Sequence, residues 1–169
     1  GVKVADRSVR SYLYGSLASH VLGWVGPVNN SELSIRKPVE GKDYSLRDQI
    51  GKSGIELMFE DDLRGQNGRK VVEVDRRGRV IRERVDLFQS PIAGNDVHLT
   101  IDIDLQSLLE SELERSIYLA REKTPEISED NKEPLPFIAP GGSSVIMSPK
   151  SGDIKAMASF PAYDPNESI

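Results

Sequence analysis

Three short signatures in a fixed order constrain this chain more than any bulk property. The first is Arg10-x-Tyr12-x-x-Gly15 running into Ala18-Ser19-His20-Val21-Leu22-Gly23-Trp24. The second is Gly51-x-x-Gly54-Ile55-Glu56 followed by Leu63-Arg64-Gly65-x-x-Gly68. The third is Leu99-Thr100-Ile101-Asp102, ahead of Gly152-Asp153-Ile154-Lys155-Ala156-Met157-Ala158-Ser159. Gly23 and Gly65 each stand where an apolar helical turn would stop, so the elements of the first half are short. With 169 residues and 37% apolar content, the chain can build one good core or two small ones, but not a single large one.

The spacing of apolar residues predicts a short helix around Ser16 to Leu22, then loop or weak helix from Pro27 to Tyr44, with Asn29-Asn30-Ser31 and Lys37-Pro38 as breakers. Ile55, Phe59 and Leu63 are one turn apart and predict an amphipathic helix from Ser53 to Leu63, opened by a capping box between Ser53 and Glu56. Lys70 to Val74 and Val80 to Val85 flank Asp75-Arg76-Arg77-Gly78-Arg79 and read as a β-hairpin. A boundary is expected at Pro91 to Asn95, dividing residues 1–94 from 95–169. Val97 to Ile101 then reads as a strand. Asp102 caps a helix reaching about Lys123, whose Leu105, Leu109, Leu113 and Ile117 repeat every four residues, with Leu108 and Ala120 widening the stripe and Glu110, Glu112, Glu114 and Arg115 facing water. Residues 124–140 hold four prolines and a cluster of acids, the composition of a flexible loop. Ser143 to Met147 and Ile154 to Phe160 predict a second hairpin.

Several classes of chemistry are disfavoured. A net charge of −5 with 29% charged residues repels polyanions, and the denser basic stretches near Arg76 to Arg79 and Arg82 to Arg84 fall in the first hairpin, so no nucleic-acid partner is expected. There is no cysteine, which excludes disulfides and cysteine-ligated metal, and His20 and His98 are the only histidines left for any other metal site. No run approaches the ~20 apolar residues of a membrane span. Ser34-Ile35-Arg36-Lys37 has the Ser-x-x-Lys spacing of some serine acyltransferases, but Pro38 follows at once and no Lys-Thr-Gly occurs. Gly51-Lys52-Ser53 lacks the earlier glycine of a phosphate-binding loop, with Leu46 in its place. The pair Asp102 and Asp104 and the run Glu60, Asp61, Asp62 are assigned to capping and solvation. No catalytic, cofactor-binding or metal-binding residue is assigned.

In their order and spacing, the signatures resemble the non-catalytic pedestal and first catalytic-domain segments of class B penicillin-binding proteins, the peptidoglycan D,D-transpeptidases, most like the elongation branch. Arg10, Tyr12, Ala18, His20, Leu22, Gly23 and Trp24 match the first pedestal element, with Leu13 where that family has proline and Ser19 where it has a second alanine. Gly51, Gly54, Ile55, Glu56, Phe59, Leu63, Arg64, Gly65 and Gly68 match the second. Leu99 to Asp102 with Gln106 resembles the start of the transpeptidase domain. Val145 to Met147, Pro149, Gly152, Ile154, Ala156 to Ala158, Pro161 and Tyr163 to Asn166 resemble its first two strands and the turn after them.

The resemblance implies an α+β chain: a pedestal of short helices and a hairpin over 1–94, then a truncated piece of the β-lactamase-like transpeptidase domain over 95–169. Arg10, Tyr12, Gly15, His20, Gly23, Gly51, Gly54, Glu56, Leu63, Arg64, Gly65, Asp102 and Gly152 are its fold-signature residues. It further implies a membrane-anchored parent outside the cytoplasmic membrane, with the anchor and the reactive serine outside these residues, no metal or cofactor, and β-lactams and stem peptide bound only by that parent. Partners through the pedestal would be a polytopic glycosyltransferase and an elongation scaffold protein. The alternatives are a small serine hydrolase using Ser34 and Lys37, and an unrelated extracytoplasmic binding domain.

Overall fold

Two positive-φ glycines, Gly23 at 78° and Gly54 at 58°, let distant backbone segments cross at contact distance. A Cβ on Gly23 would overlap the Ser53 carbonyl, and one on Gly54 would press on the Val21 carbonyl and the Gly23 nitrogen. The first two signatures are thus locked back to back. The coordinates are a computed structural model describing residues 10–35, 44–46, 48–122 and 139–168. Lys37 and nearly all of the expected 124–140 loop lie outside the described residues.

Around that crossing the elements are short. Helix α1 is Ser19–Leu22, closed by the Gly23 N–H donating to Ser19 O at 2.8 Å. Strand β1, Val25–Pro27, pairs antiparallel with β2, Gln49–Gly51, placing Val25 opposite Gly51 and Pro27 opposite Gln49. Val25, Val28 and Ile50 are buried there. Helix α2, Asn30–Ile35, occupies part of the stretch read as loop or weak helix. Its start is a reciprocal cap: the Glu32 N–H donates to Asn29 Oδ1 and the Asn29 N–H donates to Glu32 Oε2, both at 2.8 Å. Asn29-Asn30-Ser31, one of the two expected breakers, therefore begins a helix, and the other, Lys37-Pro38, lies outside the described residues.

The expected Ser53 to Leu63 helix is broken at Phe59 into α3, Gly54–Met58, and α4, Glu60–Leu63. Ser53 occupies the cap position but its hydroxyl makes no capping bond, and the Glu56 carboxylate that would complete the box pairs with Arg10. The first hairpin forms as expected: β3, Arg69–Val74, pairs with β4, Val80–Gln89, in a sheet of its own. Asp75 closes its turn, accepting from the Arg77 and Arg79 N–H groups at 2.8 and 2.9 Å.

No strand forms at Val97 to Ile101. That segment instead runs along the second hairpin by single bonds, with Thr100 Oγ1 donating to Ile154 O at 2.7 Å and the Asp102 N–H to Lys155 O at 2.9 Å. Asp102 caps α5, Ile103–Glu122, accepting from the Asp104 and Leu105 N–H groups. The stripe of α5 lies on the sheet of β5, Gly142–Met147, and β6, Ile154–Phe160. Ile117, Ala156 and Ala158 are buried between them, while Leu108 remains exposed. A 3-10 turn, Pro165–Ser168, follows.

Gly78 has a φ of 76° but its Cβ direction is open to solvent. Gly78→Ala should therefore cost only the left-handed strain of about 1–2 kcal/mol, whereas Gly23→Ala adds a backbone collision. In urea unfolding, Gly23→Ala is expected to lose at least ~2 kcal/mol more than Gly78→Ala; equal losses would show that the crossing carries no constraint.

Candidate functional site: the strap of residues 10–24

Glu56 and Glu60 are charged side chains buried at 7% and 6% exposure, which requires partners for both. Glu56 receives Arg10 Nε at 2.8 Å and the Tyr12 hydroxyl at 3.4 Å. Burial, and then the neighbouring Glu56 carboxylate, push the Tyr12 hydroxyl pKa far above its ordinary value, so it remains a proton donor. Glu60 accepts from the Gly51 N–H at 2.8 Å and from the Tyr44 hydroxyl at 3.1 Å, which pins β2 to α4. Arg64 bonds Asp48 at 3.1 Å and lies 3.7 Å from the Tyr44 ring centre. Glu60 was assigned to capping and solvation on sequence grounds; burial against Gly51 and Tyr44 gives it a structural bond instead.

Five signature residues thus join two adjacent polar networks, Arg10, Tyr12 and Glu56 in one and Gly51 and Arg64 in the other around Glu60, with Gly23 and Gly54 at the crossing. Leu63 and Gly65 border it, Gly65 against the Ile92 carbonyl. Gly15 sits in the turn after Tyr12, its N–H donating to Tyr12 O at 3.2 Å. Asp102 and Gly152 lie elsewhere, at the start of α5 and in the turn joining β5 to β6.

The opposite side of the strap meets the second half of the chain. The Asn166 amide mimics a strand neighbour, accepting from Tyr12 N and donating to Tyr12 O, both at 3.0 Å. The Ala18 N–H donates to Glu110 Oε1 at 2.8 Å, so Glu110 is not the solvated residue expected. The Tyr163 hydroxyl donates to Ser19 O at 2.9 Å. His20 Nε2 lies 2.9 Å from Pro161 O and therefore carries the proton, while its ring stands edge-on to Tyr163 at 5.1 Å. His20 is a connector in this arrangement, and His98 is exposed without joining it. Asn166, Tyr163 and Glu110 were not recognisable as partners of the strap, because 92 to 154 residues separate each bonded pair.

Ser34 is exposed and its hydroxyl donates to Ser31 O at 2.7 Å. Its proposed partner Lys37 falls outside the described residues. Among the described residues no three acidic or imidazole side chains gather as a metal set.

Two stability predictions follow from this site. Ser19 is 1% exposed and its hydroxyl has no partner among the described residues; Ser19→Ala should raise unfolding stability by about 1 kcal/mol, and a loss of that size would reveal a hidden partner. Burial alone would raise the Asp48 pKa, but the Ser45 N–H and Arg64 outweigh it and hold it below the ordinary aspartate value. A depressed carboxyl pKa stabilises the fold above the unfolded-state value and loses that contribution as pH falls through the folded-state value. Between pH 6 and pH 2.5 the wild type should therefore lose more stability than Asp48→Asn in urea titrations. Equal acid losses would contradict the ion pair.

Comparison with known proteins agrees with this architecture. The penicillin-binding protein dimerisation domain matches residues 1–99. Peptidoglycan D,D-transpeptidase MrdA of Salmonella typhimurium strain LT2 is 36% identical over 167 residues, covering 98% of this chain and 23% of that protein. The Escherichia coli K12 MrdA is 36% identical over 168 residues, covering 98% and 22%. The chain thus spans less than a quarter of the length of these relatives. The solved Pseudomonas aeruginosa PBP2 in complex with WCK 5153 superposes with a TM-score of 0.58 at 30% identity, covering 95% of this chain and 26% of that one. The Helicobacter pylori complex of PBP2 with MreC gives 0.60 at 24% identity, covering 93% and 24%. The ordered signatures, the crossing they form and these matches together establish that the chain belongs to the penicillin-binding protein dimerisation-domain family.

Proposed function

We propose that this chain is the non-catalytic support of a peptidoglycan-cross-linking D,D-transpeptidase. Residues 1–94 would form the pedestal and residues 95–169 the opening of the catalytic domain, on the extracytoplasmic side of the membrane. The observation that carries this reading is the strap: residues 10–24 bond Glu56 on one side and Glu110, Pro161, Tyr163 and Asn166 on the other. A segment fixed on both sides holds the second body at a set angle to the first, which is what a support must do. The likeness to MrdA, named as a peptidoglycan D,D-transpeptidase, supplies the reaction it would serve.

The partners proposed are a polytopic glycosyltransferase and an elongation scaffold, the latter in keeping with the solved PBP2–MreC complex. A role as an independent hydrolase finds no support in Ser34, which is exposed and bonded to its own helix.

The purified chain should remain unlabelled by a fluorescent penicillin on a denaturing gel, and should bind immobilised extracytoplasmic MreC-type scaffold saturably. Stable labelling, above all at Ser34, would overturn the non-catalytic assignment. Absence of saturable capture by the folded chain would overturn the scaffold as partner.

A further inference from the structure

Gln106 is completely buried in the first turn of α5, where an amide must find partners for both of its ends. It finds them on the outer edge of β6: Nε2 donates to Met157 O and Oε1 accepts from Met157 N, both at 2.8 Å. One turn later, Glu110 Oε1 accepts from Gln106 Nε2 at 2.6 Å. The same oxygen accepts from the Ala18 N–H at 2.8 Å. Ala18 has φ 57° and ψ 21°, a left-handed conformation that its methyl group disfavours.

The geometry points to a hydrogen-bonded relay, Ala18 to Glu110 to Gln106 to Met157, that couples the conformation of residues 10–23 to that of β6. Each internal member serves two neighbours at once. Glu110 shares one oxygen between donors from two different segments, and Gln106 shares one nitrogen between Glu110 and Met157. Removing either side chain leaves partly buried groups unpaired at the next link, so the disturbance passes on instead of ending where it starts. Ala18 supplies the element with two states. Held by Glu110 it stays left-handed; released, it relaxes toward the right-handed region and carries Ser19 and His20 with it, the residues that bond Tyr163 and Pro161. Such coupling acts equally in both directions. It rests on this chain's own contacts and does not depend on the proposed role in cell-wall synthesis.

Amide hydrogen exchange by NMR on the 169-residue chain tests the relay, because the Ala18 and Met157 N–H groups each donate to one of its side chains. Gln106 makes no hydrogen bond to Ala18, yet Gln106→Met should speed Ala18 exchange at least fivefold. Glu110 makes no hydrogen bond to Met157, yet Glu110→Met should speed Met157 exchange at least fivefold. Amides of the β3–β4 hairpin should stay within twofold, as should both reporters in Glu110→Gln, which keeps an oxygen acceptor. If either Met variant unfolds, Glu110→Asp takes its place: one methylene short of both donors, it should speed exchange at both reporters. Acceleration confined to the amide directly bonded to the altered side chain, in the Met variants or in Glu110→Asp, would overturn the relay. So would equal acceleration in Glu110→Gln.

Discussion

Because Gly23 and Gly54 let two backbone segments touch, α3 begins where Glu56 can reach both Arg10 and Tyr12. A side chain at either glycine would separate the segments and strand a buried carboxylate away from its guanidinium. Burying an unpaired charge is far costlier than losing an exposed ion pair. The crossing therefore favours one arrangement sharply over its neighbours. Arg10 fixes the start of the strap, Glu60 fixes β2 through the Gly51 N–H, and Arg64 ties the end of α4 to Asp48. The hydrophobic contribution here is small, with Val25, Val28 and Ile50 forming a thin core under a polar framework. Specific polar geometry does more to define this half of the molecule than its apolar volume.

What could be read from the sequence, and what could not, follows from the range of the interactions. The two hairpins and α5 were legible because their determinants are local: an Asp-to-Gly turn between β-branched runs, and leucines spaced by one helical turn. The β1–β2 pair was not, since three residues including Gly26 and Pro27 show no alternation and their partners lie over twenty residues away. Glu56 shows a different kind of failure. Its spacing from Ser53 satisfies a local capping rule, but a tertiary guanidinium is a stronger partner for a buried carboxylate than a backbone N–H that the helix start can leave to other acceptors. Conversely, Asn29 and Glu32 formed the cap that was expected at Ser53 and Glu56. The signature residues Arg10, Tyr12, Glu56 and Arg64 were identifiable by type and order, but their mutual contacts depend on the crossing, which no short-range pattern encodes.

The β3–β4 hairpin is built on a different principle. Its ion pairs, Lys70 with Glu83 and Arg84 with Glu73 and Asp86, all lie at the surface, and Ile81 and Val85 are 69% and 78% exposed. Surface pairs of this kind contribute little each, and a two-stranded sheet without a packed face is marginal. The turn network of Asp75 therefore has a larger share in setting its register than any burial does. Asp75 is held below its ordinary pKa mainly by the Arg79 backbone and side-chain bonds. The hairpin thus belongs to the low-stability end of the molecule, and the glycine crossing to the high-stability end.

The strap is joined to the second half of the chain in another way, by a set of hydrogen bonds to backbone groups. Asn166 pairs with Tyr12, Tyr163 with Ser19, His20 with Pro161 and Glu110 with Ala18. An apolar seam would resist sliding only weakly as a function of direction, because dispersion contacts are nondirectional and can be remade after a shift. Directional bonds to a single register cannot be remade partway. They hold one orientation until several break together, so a junction of this composition tends to be either engaged or released. That property comes from placing amide, hydroxyl, imidazole and carboxylate groups where leucines would have left the joint free to slide.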